Sequence, residues 1–283
     1  PQSQKKLFKK SINFFPFKSR MSEYLKFAHE LADASGKVIR KYFRTKMTVE
    51  DKADNSPVTV ADRLTETIMR EMISKKFPDH DILGEEHGYQ PTGSRWKWVL
   101  DPIDGTRSFV AGMPIFGTLI CLMEQEIPQI GMIDIPILQE RWCGLRKKES
   151  IFYPNQPDGK PLACKVSNQQ KIEQSILYSA DPAMFNNAQK PYFDQIAAQA
   201  KLVRFGGDCY SYGLLASGHI DLVVEADLKN YDVMALVPVV ESAGGLISDW
   251  NGNSSFDDEW DGCLVATASP ELHKQALGLL KTA

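Results

Sequence analysis

A chain of 283 residues that is 43% hydrophobic and 24% charged holds enough apolar material for a sizeable core in one or two domains, the mark of an ordinary globular protein. No apolar run approaches the ~20 residues that span a bilayer and no signal-peptide pattern is visible, which argues against secretion and membrane insertion. Six of the 33 basic residues fall within positions 1–20, where there is no acid, so the rest of the chain sets 27 basic against 36 acidic residues, a balance of −9 that argues against nucleic acid as the main ligand.

In chain order, residues 1–20 read as a basic N-terminal extension that includes Phe8, Phe14, Phe15 and Phe17. It is expected to be disordered ahead of Met21; the other reading is a membrane-surface helix or a targeting remnant. Positions 24, 25, 28, 31, 32, 35, 38, 39, 42 and 43 recur at the three-and-four spacing of an amphipathic helix over Tyr24 to Phe43. A second helix is predicted from about Val60 to Phe77, with Leu64, Ile68, Met72 and Ile73 facing inward and Thr59 as its cap. Short strands follow at 81–84, 96–100, 117–123, 128–135 and 141–146, so 21–160 reads as an α+β half with an antiparallel meander. Beyond the Pro/Gly-rich stretch 153–162 strands alternate with helices near 189–200, 209–217, 231–243 and from about Glu271, and 161–283 reads as an α/β half. Five scattered cysteines (Cys121, Cys143, Cys164, Cys209, Cys263) suggest neither a disulfide framework nor a zinc site. They are read as reduced core thiols of a cytoplasmic protein.

Three segments put acid at the end of an apolar element. In "WVLDPIDGT" (98–106) a strand delivers Asp101 to a sheet edge, Pro102 bends the chain, and Asp104 turns back toward Asp101. Two carboxylates so placed repel unless a cation lies between them, and oxygen ligands with no nearby His or Cys suit Mg²⁺. Gly105 and Thr106 then open a turn or helix whose N–H groups suit a phosphate. The bland reading is a strand-end turn in which both aspartates only cap backbone. "ILGEEHG" (82–88) repeats the shape with Glu85 and Glu86, blandly a solvated acidic loop, and Asp232 stands at a helix start, where an acid is favoured in any case.

"GEE", "WVLDPIDGT", "YDVMA" and "ESAGGLISDWNG", in this order, resemble the signatures of the inositol monophosphatase-like, lithium-sensitive, magnesium-dependent phosphatases, over residues from about 22 to 280. The resemblance implies the αβαβα layered sandwich of the inositol monophosphatase and fructose-1,6-bisphosphatase type, and it implies a homodimer, which is not legible in this chain. It implies Glu85, Asp101, the Ile103 carbonyl, Asp104 and Asp232 as ligands of two or three Mg²⁺ ions. Thr106 and Glu85 would orient the attacking water, and the amides of Gly105 and Thr106 would hold the phosphate. Water activated by magnesium would then displace the ester in line, with no covalent phospho-enzyme. "DKADNSPVTVAD" (51–62) is similar to a segment that approaches the metals in this family, which makes Asp62 a catalytic candidate beside Thr59 and Lys52; by itself it is a polar turn.

"DPIDGTRSFVAGMPIFGTLICLME" (101–124), "PILQERWCGLR" (136–146) and the stretch 204–240 resemble the histidinol-phosphate phosphatase branch, which implies L-histidinol phosphate as the small-molecule monoester substrate and a place in histidine biosynthesis. That substrate carries an ammonium and an imidazole, so its pocket should offer further carboxylates, for which Asp208 and Glu225 are the candidates. For Asp208 the competing role is a helix cap; for Arg141 and Trp142 the choice lies between lining the pocket and belonging to a strand. Arg107 departs from the small residue or lysine expected after DGT but lies outside the ligand set. Two rival readings remain at this point: an inositol or broad sugar or nucleotide monoester phosphatase with the same site, and a non-catalytic protein that keeps the fold and binds partners.

Overall fold

Strands that are apolar at nearly every position need both faces covered, and the central strands of this chain are of that kind. The computed structural model describes residues 20–46, 49–51, 57–156, 159–257 and 259–280. The basic head, up to residue 19, and Lys52 lie outside the described residues. The chain begins with α1 (Arg20–Tyr42), the antiparallel pair β1 (Val49–Asp51) and β2 (Pro57–Thr59), and α2 (Val60–Lys76). Then come β3 (Asp81–Gly84), β4 (Gly88–Gln90), β5 (Trp96–Asp104), α3 (Thr106–Ala111), β6 (Gly117–Glu124), β7 (Ile127–Ile135), β8 (Glu140–Leu145), β9 (Glu149–Tyr153) and β10 (Leu162–Ala163). The remainder comprises β11 (Ile176–Ser179), α4 (Lys190–Gln199), β12 (Leu202–Phe205), α5 (Tyr210–Ala216), β13 (Leu222–Glu225), α6 (Asn230–Val233), α7 (Leu236–Ser242), β14 (Leu246–Ser248), β15 (Leu264–Thr267) and α8 (Pro270–Leu280).

Eight strands form one sheet in the order β10-β9-β8-β7-β6-β5-β3-β4, and five form a second in the order β12-β11-β13-β15-β14. Period-two alternation assigns the two faces of the large sheet. Trp96, Trp98, Leu100, Ile120, Leu122, Ile130 and Met132 meet Tyr24, Phe27, Leu31, Met69 and Ile73 of α1 and α2. The alternate residues Val99, Leu119, Cys121, Ile133 and Trp142 share a second core with Leu215, Leu236 and Val239 of α5 and α7 and with Val223 and Leu264 of the small sheet. The far face of the small sheet is covered by α4 and α8 through Phe193, Ile196, Leu272 and Ala276. The result is the expected αβαβα sandwich.

Two glycines set how closely the middle helical layer approaches the large sheet. Gly131 and Gly144 are cross-strand partners on β7 and β8. A Cβ on Gly131 would lie 2.0 Å from the Ala235 carbonyl oxygen, and one on Gly144 would lie 2.2 Å from the Pro238 carbonyl. The backbone of α7 therefore rests directly on the sheet.

The structure revises several expectations. The helix predicted near 231–243 is two pieces, α6 and α7, because Pro238 has no N–H to offer the Met234 carbonyl. β5 runs on to Asp104 through a register shift after Asp101 and lies inside the sheet, between β3 and β6, so Asp101 sits at a bulge within the strand and not at a sheet edge. The inner face of α2 is Ala61, Asp62, Thr65, Glu66, Met69 and Ile73, whereas Leu64 is exposed. β4 and β10 are short exposed strands that gave no apolar run to read, and β9 carries only the short apolar run Ile151 to Tyr153. All five cysteines are free thiols, and four of them are buried.

Arg141 and Trp142 belong to the framework. Trp142 stacks on Phe152 and donates from Nε1 to Ser217 Oγ at 2.8 Å. Buried Arg141 donates to its cross-strand partner Asp134 at 2.7 Å, to Asp33 of α1 at 2.9 Å, and from Nη1 to His29 Nδ1 at 3.0 Å. Burial, and then the Arg141 charge, hold the His29 imidazole well below its ordinary range, with the Tyr153 ring packed edge-on against it. Folded His29 therefore stays neutral where the unfolded chain takes up a proton. Stability from this site is complete above about pH 6.5 and falls by about 1.4 kcal/mol per pH unit below it. Urea melts of wild type and His29→Gln between pH 7.5 and 5 should diverge with that slope as pH falls; parallel curves would show that His29 does not titrate differently on folding.

Candidate metal centre

Parallel pairing of β3 with β5 stops where β3 stops, with Gly84 opposite Leu100. The Glu85 amide donates to the Leu100 carbonyl at 3.2 Å, so Glu85 stands beside Asp101, which still pairs with Leu119 of β6. The bulge after Asp101 is held by the Asp101 carboxylate, whose Oδ1 accepts from the Ile103 amide at 3.0 Å, and by Thr118, whose hydroxyl donates to the Pro102 carbonyl at 2.9 Å. Ser35 of α1, the polar member of its inward stripe, lies 2.5 Å from that hydroxyl. The bulge brings Asp104 round beside Asp101, and Gly105 (φ 84°) turns the chain into α3. α6, from the other half, supplies Asp232. One carboxylate oxygen each of Asp101, Asp104 and Asp232 lies within 4.8 Å of the other two.

Each aspartate also serves the backbone as the bland reading proposed. Asp101 accepts from Ile103, Asp104 accepts from the Cys209 amide at 2.6 Å, and Asp232 accepts from the Lys229 amide at 2.7 Å. Capping and convergence are two uses of the same carboxylates.

Electrostatics separates this cluster from a set of caps. Burial, and then the charges of Glu85, Asp104 and Asp232, push Asp101 well above the carboxylate range. Burial, and then Asp208, push Asp104 up to about 7. Burial, and then Asp104 and Glu85, raise Asp232 strongly. A divalent cation reverses this balance, because each repulsive charge becomes a ligand. The donor set is hard oxygen, which suits Mg²⁺. One expectation needs correction, since a cysteine does stand close by: the Cys209 thiol neighbours Asp104. Burial, and then Asp104, raise its pKa strongly, so it remains a thiol and a poor ligand.

The other candidates surround this point. Ile103 is fully buried, and its carbonyl accepts from Thr106 Oγ1 at 3.1 Å. The same hydroxyl lies 3.4 Å from Asp62 Oδ1. Asp62 is fully buried, and its other oxygen accepts from the amide and hydroxyl of Thr59, closing a capping box in which the Thr59 oxygen accepts from Ala61. Thr59 is thus the expected cap. Burial raises Asp62, Glu85 adds to the shift, and the Thr59 hydrogen bonds oppose it.

Asp208 does not cap α5. It adopts a left-handed conformation (φ 42°), and its carboxylate accepts from the Ser108 hydroxyl. That carboxylate lies so close to Gly105 that a Cβ there would be 2.5 Å from its Oδ2, a second reason for glycine at 105. Glu225 is buried at the end of β13, where Oε1 accepts from the Ala180 amide at 3.0 Å and Oε2 from the Tyr212 hydroxyl at 2.6 Å. Burial, and then Asp104 and Asp208, push it up to about 8 against those hydrogen bonds. Arg107 pairs with Asp181 at 3.2 Å, and its charge also favours the ionised form of Asp208. Sequence reasoning missed Ser108 and Tyr212, which orient Asp208 and Glu225, and it missed Glu66. The signal for Glu66 is its place four residues after Asp62 on one helix face.

The model of the inositol monophosphatase family matches residues 20–283. A chloroplastic bifunctional phosphatase of Arabidopsis thaliana is 41% identical over 274 residues, which cover 93% of this chain and 76% of its own length. The histidinol-phosphatase of Chlorobaculum parvum is 35% identical over 239 residues, or 84% of this chain and 90% of its own. The structure of an inositol monophosphatase from Zymomonas mobilis superposes with a TM-score of 0.82 at 39% identity, covering 94% of this chain and all of its own.

Proposed function

The chain belongs to the inositol monophosphatase family, and from that premise we propose that it is a Mg²⁺-dependent phosphomonoesterase whose substrate is L-histidinol phosphate. The observation that carries the hydrolytic part is the convergence of Asp101, Asp104 and Asp232, from two halves of the chain, on one point beside Glu85. Glu85, Asp101, the Ile103 carbonyl, Asp104 and Asp232 would hold the ions. Bound Mg²⁺ supplies Lewis acidity toward the phosphoryl oxygens and a water acidic enough to attack near neutral pH.

The protein's own groups do the rest. Thr106 points its hydroxyl proton toward acceptors at Ile103 and Asp62, which leaves its lone pairs to orient a water together with Glu85. The Gly105 and Thr106 amides donate to the phosphate. Asp208 and Glu225 receive the ammonium and imidazole. A cation on Asp104 would relieve part of the repulsion that raises Glu225; Ser108, Tyr212 and Ala180 fix the two carboxylates, and a carboxylate has about four lone-pair sites, so each would keep acceptor capacity. A charge-assisted contact is worth about 1.5–3 kcal/mol, roughly a tenfold to hundredfold preference.

The inositol monophosphatase at 39% identity favours a second reading, an inositol phosphate processed by the same machinery. Comparing kcat/KM for histidinol phosphate and inositol 1-phosphate separates the two. Histidinol phosphate is expected to lead, and Asp208→Ala should raise its KM about tenfold to a hundredfold with kcat little changed. A tenfold or greater preference for inositol 1-phosphate, or unchanged Asp208→Ala kinetics, would overturn the substrate assignment.

A further inference from the structure

Asp62, Glu66 and Arg70 follow one another at four-residue intervals and so share one face of α2. In an ordinary amphipathic helix that inward face would be apolar. Here Asp62 meets Thr106, and the next turn places Glu66, fully buried, against the turn that follows β3. Glu66 Oε2 accepts from the Glu86 amide at 2.7 Å, and Oε1 accepts from the His87 amide at 3.1 Å and from Arg70 Nε at 2.7 Å. Arg70 in turn donates to the Gly88 carbonyl. The fit is tight: a Cβ on Gly84 would lie 2.2 Å from Glu66 Oε1, so glycine at 84 makes room for this carboxylate.

Glu85 is thus bracketed. Its own amide is tied to β5, and the two amides that follow it are tied to one buried carboxylate. We propose that Glu66 is a positioning residue that fixes Glu85 relative to Asp101 and Thr106, with α2 as the rigid element that holds Asp62 and Glu85 in register. This rests on the assignment of Glu85 as a metal ligand. Residues that orient ligands contribute roughly tenfold to a hundredfold to metal affinity or activity.

The test uses the full chain and Mg²⁺ alone. Glu66→Gln keeps the volume but turns one accepting oxygen into a donor facing groups that already donate. By titration calorimetry its Mg²⁺ affinity should fall about tenfold, and kcat should fall with KM for the phosphate ester little changed. Hydrogen exchange at the Glu86 and His87 amides should accelerate about tenfold as well. Gly84→Ala pushes the same carboxylate from the opposite side and should reproduce the effect, so the proposal stays testable if Glu66→Gln folds poorly. A variant that loses thermal stability but keeps wild-type Mg²⁺ affinity and kcat would reduce Glu66 to a structural role and overturn the proposal. Wild-type protein that binds no Mg²⁺ would instead overturn the phosphatase reading, and the exchange rates would still judge whether Glu66 holds the turn.

Discussion

Asp101→Asn should lower kcat by about a thousandfold while the metal-free protein becomes more stable. The two halves of this result come from the same charge. Asparagine keeps the size of the side chain and an oxygen to accept from the Ile103 amide, so the bulge survives. The variant removes a carboxyl group, fully buried beside Glu85, Asp104 and Asp232, that the metal-free fold must either protonate or hold ionised against them. Without a cation that requirement is a cost, and its removal should stabilise the fold by about 1 kcal/mol or more. With a cation the carboxylate is a ligand. Wild type should therefore gain about 2.7 kcal/mol from Mg²⁺ at a hundredfold excess over Kd, and the variant much less. Denaturant melts with and without Mg²⁺, alongside kcat, check both halves; equal stability of the metal-free proteins would show that the cluster is not under repulsion.

Gly144→Ala carries the next largest effect, on stability first and activity through it. The new methyl would meet the Pro238 carbonyl at 2.2 Å and the Val239 nitrogen at 2.4 Å, and backbone atoms cannot rotate away as a side chain can. α7 must lift from the sheet, at a cost of about 2–3 kcal/mol. α6 and Asp232 precede α7 directly, so the lift also moves one of the three converging carboxylates. The urea midpoint should fall and Mg²⁺ affinity should weaken together. An unchanged midpoint would contradict the close approach of helix and sheet; a lowered midpoint with unchanged Mg²⁺ affinity would show that Asp232 is held independently of α7.

The sequence made the layers legible where the signal is regular: the three-and-four spacing of α1 and the largely apolar strands 117–123 and 128–135 say what is buried. It misread α2 for an instructive reason. Of the predicted inner face Ile73 is buried and Met72 packs against the core, but Leu64 is exposed, and the helix turns Asp62, Thr65 and Glu66 inward beside Met69. Binary pattern fails where a face serves chemistry and not a core. The bend at Pro102 was readable from its proline and the turn at 105 from its glycine, but not the register shift that keeps Asp104 in the sheet. The approach of Asp208 to Gly105, of Cys209 to Asp104, and of Glu66 to the turn after Glu85 was not. Each joins elements far apart in the chain, and spacing along a sequence holds no information about which loops meet.

The most direct measurement is anomalous diffraction from crystals soaked in Mn²⁺ as a substitute for Mg²⁺, wild type beside Asp101→Asn. Peaks bounded by Asp101, Asp104 and Asp232 in wild type, and weakened or lost in the variant, are the predicted result. A wild-type cluster that stays empty, or an Asp232 carboxylate directed away from Asp101, would contradict the account.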